Sequence, residues 1–112
     1  ARKVVSVIGD STFLHTGING IVEMVYNKPA TGHVVVILDN RTTAMTGLQE
    51  HPGTGKKLDH ETPADKVEIE NVVRGIGVKN VDIIDTTLET ERFAELLKQR
   101  LFRNNGGSCC WW

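Results

Sequence analysis

An α/β fold, built on a partial open parallel sheet with flanking helices, is the class this sequence predicts, and three observations carry it. Two β-branched runs, Lys3 to Ile8 and His33 to Leu38, read as buried parallel strands. Apolar residues at helical spacing fill the interval between them, so the order is strand, helix, strand, joined by a right-handed crossover. Each run ends in a cluster of Asp, Asn, Ser, Thr and Gly, and ligands of open α/β sheets bind at that carboxyl edge.

Taken in order, the first strand Lys3-Val4-Val5-Ser6-Val7-Ile8 turns through Gly9 to Thr12, with Ser11 or Thr12 available to cap a helix. From Phe13 to about Tyr26, Leu14, Ile18, Ile21, Val22 and Val25 form an apolar stripe opposite His15, Thr16, Asn19 and Glu23. Gly17 and Gly20 each cost that helix up to about 1 kcal/mol relative to Ala. They suggest close approach, by a ligand or by tight packing on the sheet. Asn27-Lys28-Pro29-Ala30-Thr31-Gly32 is a turn, and His33 to Leu38 is the second strand. The stretch from Asn40 to about Asp65 has no period, and a loop of that length is functional or disordered. Within it, Thr42, Thr43, Thr46 and Gly47 are placed to fold over a ligand.

Ile69, Val72, Val73 and Ile76 mark a second amphipathic helix, with Asp65 and Glu68 at capping-box spacing and Gly77 as its stop. Val81 to Ile84 is a third short strand. Thr86 with Glu89 marks the start of a last helix, and Phe93, Leu96, Leu97 and Leu101 form its stripe. Glu89, Glu91 and Glu95 precede Lys98, Arg100 and Arg103, in the sense the helix dipole favours. Residues 1–102 therefore read as one domain. Residues 103–112 hold both cysteines and both tryptophans, and read as a tail, a linker or a cloning scar without a site.

At 112 residues, the chain has room for one domain with a real core. Thirteen Lys and Arg against 14 Asp and Glu leave a net charge of −1, without the basic excess that nucleic acid demands. No apolar run reaches the roughly 18 residues that span a bilayer, and no signal peptide opens the chain. Adjacent Cys109-Cys110 is poor spacing for a structural disulfide or a metal, so the default setting is reducing and cytoplasmic. A start at Ala1 within three residues of a strand is expected of a segment of a larger polypeptide.

The chemistry concentrates at the two strand ends. Asp10 offers a hard anionic oxygen, while Asn40 and the carbonyls beside it offer neutral ones. Magnesium takes such oxygens and shares them with substrate phosphates. Three other candidates fall away, among them Asn40-Arg41-Thr42, formally a glycosylation sequon, since nothing places the chain in a secretory path. Gly53-Thr54-Gly55-Lys56-Lys57 has Glu50 where a phosphate loop needs its first glycine, and Lys57 where it needs Ser or Thr. His15, His33, His51 and His60 lack metal-ligand spacing. His51 reads as a solvated loop histidine, with substrate contact as the alternative.

Gly9-Asp10-Ser11 followed at a distance by Asn40 resembles the thiamine diphosphate signature, which runs Gly-Asp-Gly, a similar gap, then Asn-Asn. The longer strings are more specific: Ile8-Gly9-Asp10-Ser11-Thr12-Phe13 and Ile37-Leu38-Asp39-Asn40-Arg41-Thr42-Thr43-Ala44-Met45-Thr46-Gly47. They resemble the thiamine-diphosphate domain of the indolepyruvate branch of the 2-oxoacid:ferredoxin oxidoreductases, over roughly residues 2 to 101. The resemblance implies a thiamine-diphosphate-binding fold, incomplete at its N-terminus. It implies Asp10, the Asn40 side chain and the Thr42 carbonyl as magnesium ligands. Gly9, Ser11 and Thr12 would lie against the diphosphate, with Thr46 and Gly47 close to it.

What the resemblance implies for the parent enzyme is oxidative decarboxylation of a 2-oxoacid such as indolepyruvate. Coenzyme A takes the acyl group, and electrons pass to ferredoxin through iron–sulfur clusters carried outside this chain. The remaining domains or subunits of that enzyme are the expected partners, together with the acid that activates the cofactor. Ser11 and Asp39 stand where the wider cofactor class has Gly and Asn, as is usual in this branch. Leu48 and Glu50 depart from the branch pattern Thr-Gly-His-Gln-Pro-His-Pro-Gly, and this bears on substrate choice. The rival readings are a non-catalytic α/β module that holds a nucleotide or phosphate, and a magnesium-dependent phosphotransfer domain with Asp10 as acceptor. The second expects further acidic residues near Asp10, which Val7-Ile8-Gly9 does not supply.

Overall fold

Four consecutive residues, Val34-Val35-Val36-Ile37, are buried in a row, which requires a strand covered on both faces. The computed structural model describes residues 4–28, 32–40, 42, 43, 46–85, 88–102 and 108–111, those beyond residue 100 by their backbone alone. The elements run β1 (Val4–Gly9), α1 (Asp10–Thr12), a π-helical segment (Phe13–Gly17), α2 (Ile18–Tyr26), β2 (His33–Leu38), α3 (Ile69–Ile76), β3 (Asn80–Ile83), α4 (Thr90–Phe102) and β4 (Ser108–Trp111). The strands form one parallel sheet in the order β1-β2-β4-β3.

The two faces of β2 build two cores. Val35 and Ile37 pack with Phe13, Ile21, Ile69, Val73 and Val78, under the first helical run and α3. Val34 and Val36 pack on the opposite side against Phe93 and Leu97 of α4. Strand alternation makes this sorting automatic, because successive side chains point to opposite faces. The Arg100 guanidinium donates to Asp82 Oδ2 through Nε (3.1 Å) and Nη2 (2.8 Å), tying α4 to β3.

The first strand differs from its expected buried state. It is an edge strand with Val4, Val5 and Val7 exposed, Val7 at 63%, and only its Ser6–Ile8 face is half covered. An open groove of about 410 Å³ runs along it, lined among others by Ser6, Ile8, Phe13, Gly20 and His33. The expected starting residue Lys3 lies outside the described residues.

The helix after β1 is continuous from 10 to 26 but widens to a π-turn at 13–17, which the apolar stripe did not announce. Phe13 there is fully buried. A Cβ at Gly17 would come within 2.6 Å of Ile8 Cδ1, so this glycine serves close packing on β1. One at Gly20 would meet no protein atom within 4 Å.

The expected capping box of α3 is not made. Glu68 is the N-cap but its side chain makes no cap hydrogen bond, and it instead lies 3.7 Å from Lys66 Nζ. Gly77 stops the helix as expected, at φ 117°. The third strand begins one residue early, at Asn80, and Ile84 follows it fully into the core. Thr86, the Leu101 side chain, Arg103 and much of the turn at 29–31 lie outside the described residues.

The segment expected as a tail contributes β4. Its backbone pairs in register with β2 (Val34 with Ser108 to Ile37 with Trp111) and with β3 (Asn80 with Ser108 to Ile83 with Trp111). The sheet thus crosses the boundary expected at residue 102. Among the described residues, no helix is long and apolar enough to cross a membrane.

Candidate functional site

The register of the first two strands decides which side chains meet. Val4 pairs with His33, and the pairing stays in step to Gly9 with Leu38. The next residues out of the sheet are Asp10 and Asp39, level with each other at the carboxyl edge. Asp10 opens α1 with Gly9 as its N-cap, so its acid also lies in the first turn, where the helix dipole favours it. A Cβ built at Gly9 meets nothing within 4 Å, so this turn faces open space.

Asp10 is the one carboxylate of the site drawn fully inside, at 2% exposure. Burial pushes its carboxyl above the ordinary aspartate value, and a hydrogen bond with the neighbouring Asp39 carboxyl raises it further. The Ser11 backbone N–H pulls the other way, and so does the field of His51. A buried carboxyl crowded by a second one is a site that gains when a cation joins it.

The loops after the two strands are stitched together. Ser11 Oγ and Thr43 Oγ1 lie 2.8 Å apart across the gap. Asn40 Oδ1 accepts the Thr42 N–H at 3.1 Å, the local turn to which Asn is suited. That leaves one of its lone pairs for another donor or a metal. Thr43 and Gln49 form an isolated antiparallel bridge, and Thr42 Oγ1 donates to the Gln49 carbonyl at 3.3 Å. Inside this bridge Thr46 Oγ1 donates to Gln49 Oε1 at 2.6 Å, and Gly47 takes φ 115°. Thr46 and Gly47 thus form a turn bonded to itself. Leu48 stands at φ 63° and 62% exposed, an uncommon backbone for a residue with a Cβ. Thr12 is exposed, and its carbonyl accepts from Thr16 Oγ1 at 3.2 Å. Arg41, Ala44 and Met45 lie outside the described residues.

His51 corrects its expected reading as a solvated loop residue. It is 5% exposed, and its Nε2 lies 2.9 Å from Asp10 Oδ2. The backbone N–H of Gly53 donates to its Nδ1 at 3.1 Å, so the ring proton sits on Nε2 and is donated to Asp10. The loop folds tightly around this ring. The His51 carbonyl accepts from both the N–H and the Oγ1 of Thr54 at 3.0 Å, and the Pro52 carbonyl accepts from Val67 N–H at 2.8 Å. A Cβ at Gly53 would lie 2.8 Å from Leu14 Cδ1 and 3.0 Å from His51 Cε1, so the glycine lets the turn pack closely against the imidazole. The stretch expected to be functional or disordered is therefore ordered by a buried polar contact. A cleft of about 250 Å³ opens beside it, lined by His15, Glu50, His51, Lys56, Lys57 and Asp65.

Glu50 faces His60, with Oε1 and Nδ1 at 3.2 Å. A hydrogen bond from Thr54, and less so the His60 contact, holds its carboxyl below the usual glutamate value.

Of the eight expected site residues, the fold gathers Gly9, Asp10, Ser11, Asn40 and Thr42 at one sheet edge, keeps Thr12 exposed in the first helical turn, and sets Thr46 and Gly47 in the adjoining turn. Two further residues belong there. Asp39 is level with Asp10, and aligning the two strand ends one residue past Gly9 and Leu38 would have found it. His51 has no such signal, since Glu50 and Pro52 on either side are both polar or turn-forming. Among the described residues no group of three His, Cys, Asp or Glu is placed to hold a metal ion by itself. The donors are instead two carboxyls, hydroxyls, an amide and backbone carbonyls, all hard oxygens of the kind magnesium takes.

The family model described as thiamine pyrophosphate enzyme, C-terminal TPP binding domain matches residues 1–110. The indolepyruvate oxidoreductase subunit IorA of Archaeoglobus fulgidus is 42% identical over 100 residues, covering 89% of this chain and 15% of that protein. The subunit of the same name from Methanothermobacter thermautotrophicus is 43% identical over 101 residues, covering 89% and 16%. That of Pyrococcus horikoshii is 40% identical over 84 residues, covering 75% and 12%. The chain thus spans about one-sixth or less of these curated relatives. No solved structure matches it. With nearly its whole length matched, and its acid-bearing strand ends brought side by side, this chain belongs to the family of thiamine pyrophosphate enzyme C-terminal, cofactor-binding domains.

Proposed function

We propose that this chain binds the diphosphate end of thiamine diphosphate through magnesium, as part of a 2-oxoacid oxidoreductase of the indolepyruvate type. The observation that carries the reading is the in-step pairing of Gly9 with Leu38, which sets Asp10 beside the Asp39–Thr43 loop at the sheet's carboxyl edge. Asp10 and the Asn40 side chain hold the metal, with the Thr42 carbonyl as a third ligand. Asp39 adds negative charge next to them. Gly9, Ser11 and Thr12 face the diphosphate, since the turn there is open and starts a helix. Thr46 and Gly47 flank it from the neighbouring turn.

Bound there, the cofactor supplies the carbon–carbon cleavage chemistry, and the protein's part is to bind and orient it. Ser11 and Thr43, hydrogen-bonded across the gap, keep the two loops at a constant separation. Asp10, held from behind by His51, presents its charge in a dry setting where it attracts a cation more strongly than in water. The substrate 2-oxoacid, coenzyme A, ferredoxin, the iron–sulfur clusters and the remaining subunits complete this proposal, as does a cytoplasmic location. They rest on the relatives' names and on the resemblance.

Calorimetry of thiamine diphosphate into the full-length protein tests the reading. Binding should require magnesium, and thiamine without its diphosphate should bind poorly. Equal affinity for the diphosphate with magnesium and with a chelator would overturn it.

A further inference from the structure

We infer that His51 is a positioning residue for the metal-binding carboxylate, acting through Asp10 rather than touching metal or cofactor itself. The inference rests on the magnesium reading of Asp10 proposed above and extends it to a residue forty-one positions away in sequence. Three features of the ring support it. Its side chain is fully buried, so water does not compete for its bond to Asp10 Oδ2 at 2.9 Å. Its tautomer is set by the Gly53 N–H on Nδ1, which makes Nε2 a permanent donor toward Asp10. Its position is set by the Thr54 bonds to its carbonyl and by the glycine packed against its ring.

A carboxylate held on one oxygen by a fixed donor cannot rotate away from its site. Together with the Ser11 N–H and the Asp39 carboxyl, the His51 donor fixes the direction in which Asp10 meets a cation. Donors of this kind behind a metal ligand are worth 10- to 100-fold in metal affinity. The alternative role is that of a plain pin, which keeps the 51–54 turn folded and has no bearing on the metal.

Two substitutions separate these roles, because each keeps one half of the ring's bonding. His51→Gln places an amide N–H near the Nε2 position and so retains the donor to Asp10. His51→Asn places an amide oxygen near the Nδ1 position and so retains the acceptor for Gly53, but loses the bond to Asp10. Mn²⁺ affinity is read by electron paramagnetic resonance in the full-length protein with thiamine diphosphate present, and thermal melts report folding. The expected result is a loss of roughly 10- to 100-fold for His51→Asn and a change of at most a few-fold for His51→Gln. Wild-type affinity in folded His51→Asn, or equal losses in both variants, overturns the inference. Should either variant not fold, the wild-type His51 Nε2–H resonance decides: it should shift with Mg²⁺ at the same midpoint as cofactor binding, and an unmoved signal overturns the inference. Asp10→Asn is the control for the underlying reading. If it binds Mn²⁺ as the wild type does, the magnesium assignment itself is overturned. If it loses the metal while His51→Asn does not, only the role of His51 is.

Discussion

A single carboxyl, that of Asp10, carries the strain of this site. It is buried, faces a second carboxyl, and accepts from one imidazole N–H and one backbone N–H. Its proton affinity is therefore higher in the folded chain than in the unfolded one, where its value is near 3.8. The folded state then binds more protons above that pH, so stability falls as pH rises through the folded value. Asp10→Asn removes the buried charge, while its amide can still accept from His51 and donate to Asp39. Without metal at neutral pH, this variant should melt higher than the wild type, on the order of 2–5 °C, or about 0.5–1 kcal/mol for a domain of this size. The difference should vanish as pH falls to 3.8, and should reverse when magnesium is bound. A melt in which Asp10→Asn unfolds the protein at neutral pH would make Asp10 a structural residue instead. Asp10 was legible from the strand-end pattern alone. Its neighbour Asp39 becomes legible only once the strand register is known, because a one-residue choice decides whether Asp39 or Asn40 lies level with Asp10.

Among the elements, the long helical run from 10 to 26 joins site and core. Its two glycines looked equivalent in the sequence, and packing separates them. At Gly20 an added methyl meets open space, so Gly20→Ala should stabilise by about 0.5–1 kcal/mol through helix propensity and chain entropy. At Gly17 the same methyl crowds Ile8 Cδ1, so the side chain of Ile8 must move and part or all of that gain is lost. Urea melts should rank Gly20→Ala above Gly17→Ala, by up to about 1 kcal/mol. Equal stabilities would mean that β1 yields freely and that the helix is not seated on it. The apolar stripes of α3 and α4 were readable because an amphipathic helix repeats its signal over several turns. The capping box was not realised, since Asp65 and Glu68 share a spacing that many exposed loops also have.

On the scale of the whole chain, the proposed role is that of an anchor for the cofactor's diphosphate, with the catalytic apparatus supplied by the rest of the parent enzyme. The relatives are about six times longer or more, and the two adjacent cysteines cannot supply the four thiolates of an iron–sulfur cluster. On the proposed reading the acid that activates the cofactor belongs to another domain of the parent enzyme, and loss of such assistance alone removes 10²- to 10⁴-fold in rate. The isolated chain, given magnesium, thiamine diphosphate, indolepyruvate or pyruvate, coenzyme A and an artificial electron acceptor, should form no acyl-coenzyme A above a protein-free control. Formation above that control would mean that these 112 residues are catalytically sufficient.

The sequence by itself determined the α/β class, the crossover between β1 and β2, the two later helices and the carboxyl-edge location of Asp10 and Asn40. Those features follow from periods and turn residues, which act between near neighbours in the chain. Tertiary structure alone decided three others. β4 carries no period over four residues, and becomes a strand because β2 and β3 both offer it unpaired backbone groups. β1 was expected to be buried but lies at the edge, since burial depends on what covers a strand and not on its own composition. His51 looked solvated, yet the fold carries it to Asp10, where a buried carboxyl takes a second donor beyond the adjacent Ser11 N–H.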